Sequence, residues 1–317
     1  MSLKVILPKE VVADVQLHLP SNLTVLPVDN EGNIDGDAKD AEVYFNWFYL
    51  KKETLHKVLT SAPTLRWQHT PSAGVNHILT PTFLEKDIML TNGAGVHAIP
   101  IAEFVITYML AYAKQLPSLY ACQAEKHWKK SWPIKELKDA TLLIIGAGGI
   151  GQEIALRAKA FGMQIFGSRR HPKAMPNFDL VVDAQEWRSL LPKADYVVIA
   201  APLTPETKGM IDANALSLMR PNAYLINIAR GAVVDEIALY KALSEGAIAG
   251  AALDTFYTEP LPPESPFWSL PNVFVTPHCS GNSPKVIERS LALFLENFHR
   301  YLNKKPLRNV VNKKAGY

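Results

Sequence analysis

The sequence predicts an α/β protein made of two doubly wound parallel-sheet domains, one inserted into the other. Short apolar segments of strand length alternate with helical segments along most of the chain, which is typical of parallel sheets covered on both faces. One of these strands runs directly into a glycine-rich turn and a helix. The 317 residues are enough for two domains that each bury a core.

The first 97 residues are predicted to form the smaller domain, around a flavodoxin-like sheet. Its clearest helix is 51–61, and the loops at 71–76 and 92–97 follow strand ends. Segment 71–76 consists of small residues, so its backbone N–H groups can bind an anion. Strands are predicted at 4–7, 24–28, 43–47, 65–69 and 88–91.

Segment 92–97 precedes a long predicted helix, 100–116, which begins with a favourably placed proline. We interpret this segment as the first crossing into the second domain. His97 is then expected to make structural hydrogen bonds rather than to act in catalysis. The aromatic segment 47–49 (Trp-Phe-Tyr) either shapes a pocket or packs within the domain, and packing is the favoured interpretation.

The larger domain is predicted to contain a six-stranded sheet of the Rossmann type. A final helix, 284–302, has apolar residues at helical spacing and is expected to return to the smaller domain. The predicted domains are therefore 1–97 plus 284–317, and 98–283. Strands of the larger domain are predicted at 141–145, 163–167, 195–200, 223–228, 248–253 and 272–276.

The turn after the first of these strands reads Gly-Ala-Gly-Gly-Ile-Gly. Strand, turn and helix occur in the order that dinucleotide binding requires. Gly146 permits a tight turn, Gly148 lets a pyrophosphate approach the backbone, and Gly151 lets the helix pack on the strand. The alternative is a turn that binds nothing, which the neighbouring strand and helix disfavour. The predicted phosphate-binding residues are Gly146, Gly148, Gly149, Ile150 and Gly151.

The next strand ends in Ser168, Arg169 and Arg170. NAD-binding versions of the motif carry an acid in this region, which binds the ribose hydroxyls. No acid occurs in 154–178, and a hydroxyl with two guanidiniums would bind a 2′-phosphate. The sequence therefore predicts NADP(H) as the preferred cofactor and leaves NAD(H) possible. The alternative is a solvated basic loop.

Four charged residues follow the carboxyl ends of other strands in the predicted Rossmann sheet. They are Arg230, Asp254, Glu259 and His278. We expect them to lie together, because ligands bind such sheets at the carboxyl edge. Three of them have a structural alternative: an ion pair for Arg230, a turn cap for Glu259, and a hydrogen-bonded histidine at a strand terminus for His278.

The composition is that of a globular protein with little net charge. A charge of +3, from 33 basic and 30 acidic residues, does not suggest nucleic acid or an anionic membrane as a partner. No apolar run reaches membrane-spanning length. Cys122 and Cys279 fit neither a disulfide framework nor a zinc site, so we expect reduced thiols, no metal and a cytoplasmic protein.

Taken in order, the motifs resemble those of the D-isomer-specific 2-hydroxyacid dehydrogenases over nearly the whole chain. The glyoxylate and hydroxypyruvate reductases are the most similar members. The motifs are 73–78 (AGVNHI), 91–95 (TNGAG), 102–103 (AE), 146–151 (GAGGIG), 202–204 (PLT), 227–232 (NIARGA), 252–256 (ALDTF), 259–260 (EP) and 276–278 (TPH).

The resemblance implies a role for each matching residue. Arg230 stands at the position of the substrate-binding arginine, His278 at that of the acid/base, and Glu259 at that of its supporting carboxylate. These residue types suit reduction of a 2-oxo acid, in which an anion is bound and a ketone oxygen gains a proton. Backbone groups of Ala73, Gly74 and Val75 would bind the substrate carboxylate. Pro202, Thr207, Ile228, Asp254 and Gly281 would line the cofactor.

The implied function is NADPH-dependent reduction of small 2-oxo acids such as glyoxylate or hydroxypyruvate. In that case the segments 1–97 and 284–317 bind the substrate, and 98–283 binds the dinucleotide. Alternatives are an NAD-linked dehydrogenase of D-lactate or phosphoglycerate type, which the segment 168–170 disfavours, and an NAD(P)-sensing binding protein. Because family members commonly dimerise through the large domain, a homodimer is expected.

Overall fold

The computed structural model describes residues 2–48 and 50–316, and it divides the chain into two compact units. Unit 1 consists of Met1–His97 and Ser283–Tyr317, and unit 2 of Ala98–Asn282. Within the described residues the strands are β1 Lys4–Pro8, β2 Thr24–Val28, β3 Ala41–Phe45, β4 Trp67–His69, β5 Met89–Thr91, β6 Thr141–Ile145, β7 Gln164–Arg169, β8 Leu180–Asp183, β9 Tyr196–Ile199, β10 Tyr224–Asn227, β11 Gly250–Leu253 and β12 Val273–Val275. The helices of the same residues are α1 Val12–Gln16, α2 Lys52–Ser61, α3 Pro81–Leu84, α4 Ala98–Ala113, α5 Leu116–Ala124, α6 Gly149–Ala160, α7 Ala213–Ser217, α8 Glu236–Ser244 and α9 Pro284–Leu302.

Unit 1 is built on a parallel sheet of the described strands in the order β2-β1-β3-β4-β5. This is the order of a flavodoxin-like sheet, the architecture predicted for this domain. Successive residues of a strand bury opposite faces, since Ile6 packs in a cluster with α2 and its neighbour Leu7 packs in a cluster with α9. The sheet is thus covered on both faces, as its apolar strands require.

Helix α9 returns the chain to unit 1, as predicted. Its Phe294 ring lies 4.5 Å from that of Phe45 and 5.7 Å from that of Trp67, centroid to centroid. The Ser283 side chain accepts a hydrogen bond from the N–H of Lys285, which caps the start of the helix. Aromatic burial by α9 therefore completes the core of unit 1.

The aromatic segment after β3 packs within unit 1. The ring of Trp47 meets those of Phe45 and Phe48 edge-on, at 5.9 and 4.8 Å. Phe48 in turn lies 5.9 Å from the ring of His97, whose Nε2 is 3.2 Å from the Pro71 carbonyl oxygen. These contacts are the structural role expected of His97, and Tyr49 lies outside the described residues.

Unit 2 is built on a parallel sheet of the described strands in the order β12-β11-β10-β9-β6-β7-β8. The central part is the Rossmann order that the sequence predicts. The prediction of six strands was wrong by one, because β8 was missed. Its four residues, Leu-Val-Val-Asp, are only partly buried at the sheet edge, so they lack the long apolar run of a central strand.

Helix α4 packs on α6 and on one face of the sheet in unit 2. The predicted helix 100–116 is observed as α4, which ends at Ala113, because Gln115 adopts a left-handed conformation (φ 57°) before α5 begins at Leu116. None of the helices among the described residues combines the length and apolar character needed to cross a membrane.

Candidate active site and cofactor site

The predicted glycine turn lies between β6 and α6. Gly146 has φ +104°, and a Cβ added there would lie 2.6 Å from the backbone at 200–201. A Cβ on Gly151 would lie 2.6 Å from the Gly146 carbonyl oxygen, whereas Gly148 and Gly149 have no atom within 4 Å of an added Cβ. Two glycines thus permit close packing, and two leave the helix N-terminus open. Because the first N–H groups of a helix lack intrahelical partners, this turn can bind a pyrophosphate.

The residues predicted to bind the 2′-phosphate lie at the end of β7, the strand beside β6. Ser168 and Arg169 end this strand, and Arg170 follows it. Ser168 is buried, and its carbonyl oxygen accepts hydrogen bonds from the N–H groups of Gly146 (3.1 Å) and Ala147 (2.8 Å). Arg169 is half-buried and Arg170 is exposed. The two guanidiniums are therefore the accessible cationic groups of this segment, and Ser168 stabilises the glycine turn through its backbone.

The remaining predicted cofactor contacts also lie at the carboxyl edge of this sheet. Pro202 and Thr207 share a loop after β9, in which the Thr207 hydroxyl donates to the Pro202 carbonyl at 2.6 Å. Ile228 directly follows β10 and is buried, and Gly281 is half-buried after β12. Their contacts with a cofactor stay predictions.

Arg230 lies in a tightly packed loop after β10. The Asn227 side chain fixes this loop, because it donates to the Arg230 carbonyl (3.1 Å) and accepts from the Ala229 N–H (3.1 Å). A Cβ on Gly231 would lie 1.9 Å from the backbone carbon of Phe256, so only glycine lets the two loops approach. Burial lowers the pKa of Arg230, and the charge of Glu259 opposes that shift. Arginine stays charged in proteins regardless, so Arg230 remains a cation.

Glu259 and His278 form a hydrogen-bonded pair, with Glu259 Oε2 2.7 Å from His278 Nδ1. Glu259 Oε1 also accepts from the Phe256 N–H at 2.9 Å. Burial alone would raise the pKa of Glu259, but these hydrogen bonds and the charges of His278 and Arg230 outweigh burial and lower it. With Nδ1 bound to the carboxylate, Nε2 is the ring nitrogen that can exchange a proton with a ligand. The His278 side chain is 44% exposed, so a ligand can reach it.

Asp254 anchors the loop that carries His278. It has no exposed surface, and its Oδ1 accepts hydrogen bonds from the Thr276 hydroxyl (2.6 Å) and the Cys279 N–H (2.9 Å). Its Oδ2 accepts from the Ser280 N–H at 3.0 Å. A carboxylate can only accept, so the Thr276 hydroxyl donates its proton to Asp254. The Tyr108 hydroxyl, whose oxygen is 2.7 Å from that of Thr276, must therefore donate to Thr276. Contact of Asp254 with a cofactor stays a prediction.

These bonds act on a loop with an unusual backbone. His278 has φ +50°, a left-handed conformation that costs a residue other than glycine about 1 kcal/mol. Such a conformation persists only where the surrounding structure determines it. Asp254 provides that constraint through hydrogen bonds on both sides of His278.

The predicted substrate loop, 73–75, belongs to unit 1. The Asn92 side chain donates to the Ala73 carbonyl at 2.8 Å, and the Gly93 N–H donates to the Ser72 carbonyl at 3.0 Å. Among the described residues, no oxygen accepts a hydrogen bond from the N–H groups of Ala73, Gly74 or Val75. Hydrogen bonds to its carbonyl groups thus fix the loop, and the three N–H groups are available to a ligand.

Sequence reasoning missed the residues that position the site. Thr276 and Asn227 lie inside the motifs but carried no assigned role, and Tyr108 carries the polar group among the otherwise apolar buried residues of α4. That polar group was the one available signal for Tyr108. Within 2–48 and 50–316, no group of three or more His, Cys, Asp or Glu side chains could hold a metal ion, and Cys122 and Cys279 are free thiols.

The fold and these residues define a dehydrogenase of the 2-hydroxyacid type. The model for the D-isomer specific 2-hydroxyacid dehydrogenase NAD-binding domain matches residues 106–280, more than half of the chain, and the protein belongs to that family. The resemblance stated from the motifs is thereby confirmed.

Individual relatives agree with this assignment. The chain is 33% identical over 321 residues to glyoxylate/hydroxypyruvate reductase B of Pectobacterium carotovorum, which covers 98% of both proteins. It is 36% identical over 260 residues to D-3-phosphoglycerate dehydrogenase of Methanocaldococcus jannaschii; these are 80% of this chain but 49%, about half, of that relative. The NADPH-dependent glyoxylate/hydroxypyruvate reductase of Sinorhizobium meliloti, solved with NADP and sulfate, is similar with a TM-score of 0.86 at 27% identity over 100% of both chains.

Proposed function

We propose that the protein reduces small 2-oxo acids, such as glyoxylate or hydroxypyruvate, to 2-hydroxy acids with NADPH as the hydride donor. The observation that carries this proposal is the 2.7 Å pair of Glu259 and His278 at the sheet edge that also carries Arg230. The names of the Pectobacterium and Sinorhizobium relatives support the substrate class. The NADP bound to the Sinorhizobium protein supports the cofactor.

Each of the three residues has a separate task in this reaction. NADPH, when bound, supplies the hydride that the carbonyl carbon accepts. Arg230 binds the substrate carboxylate and the ketone oxygen in one plane with its forked guanidinium. His278 donates a proton to the ketone oxygen, and the Glu259 carboxylate stabilises the charged ring and fixes its orientation. Acid catalysis of this kind contributes a factor of about 10²–10⁴ to the rate.

The cofactor would be held by residues that the structure leaves accessible. The open backbone at Gly148 and Gly149 fits the pyrophosphate, and the guanidiniums of Arg169 and Arg170 fit a 2′-phosphate. Ile150, Pro202, Thr207, Ile228, Asp254 and Gly281 are assigned to the cofactor on the family pattern. We assign unit 2 to the dinucleotide and unit 1 to the substrate, whose carboxylate suits the available N–H groups of Ala73, Gly74 and Val75.

The test is oxidation of NADPH, followed by its near-ultraviolet absorbance, with a panel of small 2-oxo acids. We expect turnover with glyoxylate or hydroxypyruvate, and Arg230→Ala should raise KM and lower kcat together. Arg230→Lys is the matched variant, since it keeps the charge but loses the planar fork, and it should restore only part of the activity. If NADPH binds but no 2-oxo acid is reduced, the protein is better explained as an NAD(P)-sensing binding protein.

We also propose that the protein is a cytoplasmic homodimer. Helix α5 has no buried residue, and its Tyr120 is 68% exposed. Trp128, in the segment that follows, is 89% exposed. Large exposed aromatic groups are typical of a subunit interface. Light scattering during gel filtration tests this, and a monomer of 35.1 kDa at micromolar concentration would contradict it.

A further inference from the structure

Glu206 is a charged residue of the cofactor edge to which the proposed function gives no role. It lies in the loop after β9, whereas Arg170 lies after β7, and β6 with its glycine turn lies between these two strands. Glu206 Oε2 is 3.5 Å from Arg170 Nη2. An acid from the opposite loop therefore meets one of the two arginines assigned to the 2′-phosphate.

The two arginines have different surroundings. Arg169 Nη1 lies 3.2 Å from the sulfur of Met175, a weak acceptor without charge. Arg170 faces the Glu206 carboxylate, whose pKa is lowered by a hydrogen bond from the Thr204 hydroxyl and by the charge of Arg170. Glu206 is thus an anion at neutral pH, held beside the more exposed arginine.

This anion affects NADPH and NADH in opposite ways. A 2′-phosphate that binds Arg170 meets the like charge of Glu206, and it competes with Glu206 for the guanidinium. A 2′-hydroxyl can instead donate a hydrogen bond to a carboxylate, which is the interaction that an acid provides in NAD-binding sites. Glu206 thus brings an acid from another loop to Arg170.

We infer that Glu206 is a specificity-determining residue that weakens NADPH binding and supports NADH binding. It therefore narrows the preference for NADPH over NADH that Arg169 and Arg170 create. This inference rests on the proposed NADPH site. It predicts that a site with two arginines keeps some affinity for NADH.

Isothermal titration calorimetry of the full-length protein with NADPH and with NADH tests the inference without any turnover. In Glu206→Gln, the Kd for NADPH should fall about three- to tenfold, a modest factor because the pair is exposed and screened by salt. The Kd for NADH should rise, because an amide oxygen is a weaker acceptor for the 2′-hydroxyl than a carboxylate. Glu245→Gln is the matched control, because it removes the same charge at the end of α8 and should change neither Kd.

A second set of variants separates this inference from the proposed cofactor site. In an Arg170→Ala background, the gain in NADPH affinity from Glu206→Gln should be smaller, because no guanidinium then draws the 2′-phosphate toward Glu206. Equal changes for both cofactors, or no change for either, would overturn the role of Glu206. If Arg169→Ala/Arg170→Ala binds both cofactors as the parent does, the proposed NADPH site itself is wrong.

Discussion

The two halves of the carboxyl edge in unit 2 are held in different ways. On one side, the loops after β10, β11 and β12 carry Arg230, Glu259 and His278, and the buried Asp254 fixes the histidine loop. On the other side, the loops after β7 and β9 expose Arg170 and Glu206, which meet at 3.5 Å.

The difference follows from the chemistry assigned to each half. Proton donation requires the donor and acceptor atoms to be at hydrogen-bond distance, so a small displacement of His278 would slow the reaction. Recognition of a phosphate by charge weakens only gradually with distance, so exposed arginines suffice. We therefore expect variants of the first half to affect catalysis and folding, and those of the second half to affect cofactor choice.

Replacing the proton donor should give the largest effect. In His278→Ala, kcat should fall about 10²–10⁴-fold, because the ketone oxygen loses its acid. The Kd for NADPH, measured by calorimetry, should stay unchanged, since the arginines lie in the other half. His299→Ala, which removes an exposed histidine of α9, is the control. Near-normal turnover in His278→Ala would remove this residue from the mechanism.

Glycine substitutions in the two halves should differ in their effect on the stability of the protein. Gly231→Ala places a Cβ 1.9 Å from the Phe256 backbone, so we expect a loss of about 3 kcal/mol through overpacking. Gly149→Ala meets no atom within 4 Å at the start of α6, so it should leave stability unchanged or raise it. Thermal unfolding measures both. Equal melting temperatures for the two variants would show that the loops of Gly231 and Phe256 can move apart without loss of stability.

Removing Arg169 and Arg170 should change the preference between NADPH and NADH and leave the catalytic residues intact. Arg169→Ala/Arg170→Ala should raise the Kd for NADPH about ten- to hundredfold, the effect of losing charged hydrogen bonds worth about 1.5–3 kcal/mol. The Kd for NADH should change far less, because it lacks the 2′-phosphate. Equal losses for both cofactors would mean that the arginines support the fold rather than the phosphate.

A smaller effect is expected where the loop that carries His278 is hydrogen-bonded to α4. Thr276→Val removes the hydroxyl between Tyr108 and Asp254, which leaves the buried Tyr108 hydroxyl unpaired and removes one of the three hydrogen bonds to Asp254, and should cost about 1–3 kcal/mol of stability. Thr276→Ser keeps the hydroxyl and should restore most of that stability. If the hydroxyl also positions His278, kcat should fall with no change in the Kd for NADPH. Unchanged kcat and stability in Thr276→Val would show that the bond is not needed.

The sequence predicted the architecture well, because strand, turn and helix patterns are local. Strand 24–28 and helix 284–302 were predicted with the bounds observed. The short edge strand β8 was missed, since four partly buried residues give little signal. The positions of Arg230, Glu259 and His278 at one edge follow from parallel topology, which the fold confirms.

What could not be predicted depends on contacts between distant parts of the chain. Tyr108 and Thr276 are 168 residues apart, and no periodicity in either segment indicates their hydrogen bond. The approach of Gly231 to Phe256 is likewise a property of packed loops. The pairing of Arg170 with Glu206 joins residues 36 apart through two loops whose conformations the sequence left open.

The smallest expected effect concerns the dependence of stability on pH. The folded protein holds the pKa of Glu259 below its ordinary value of 4.5, so this carboxylate stabilises the fold above that pH. The contribution is lost as the pH falls through the lowered value, because the folded protein then takes up the proton as well. Since the side chain is 36% exposed, solvent screening limits the contribution to less than about 1 kcal/mol. Urea unfolding of the parent and of Glu259→Gln should therefore show a small gap above pH 4.5 that closes in acid, and a gap that widens in acid would contradict the charge pairing.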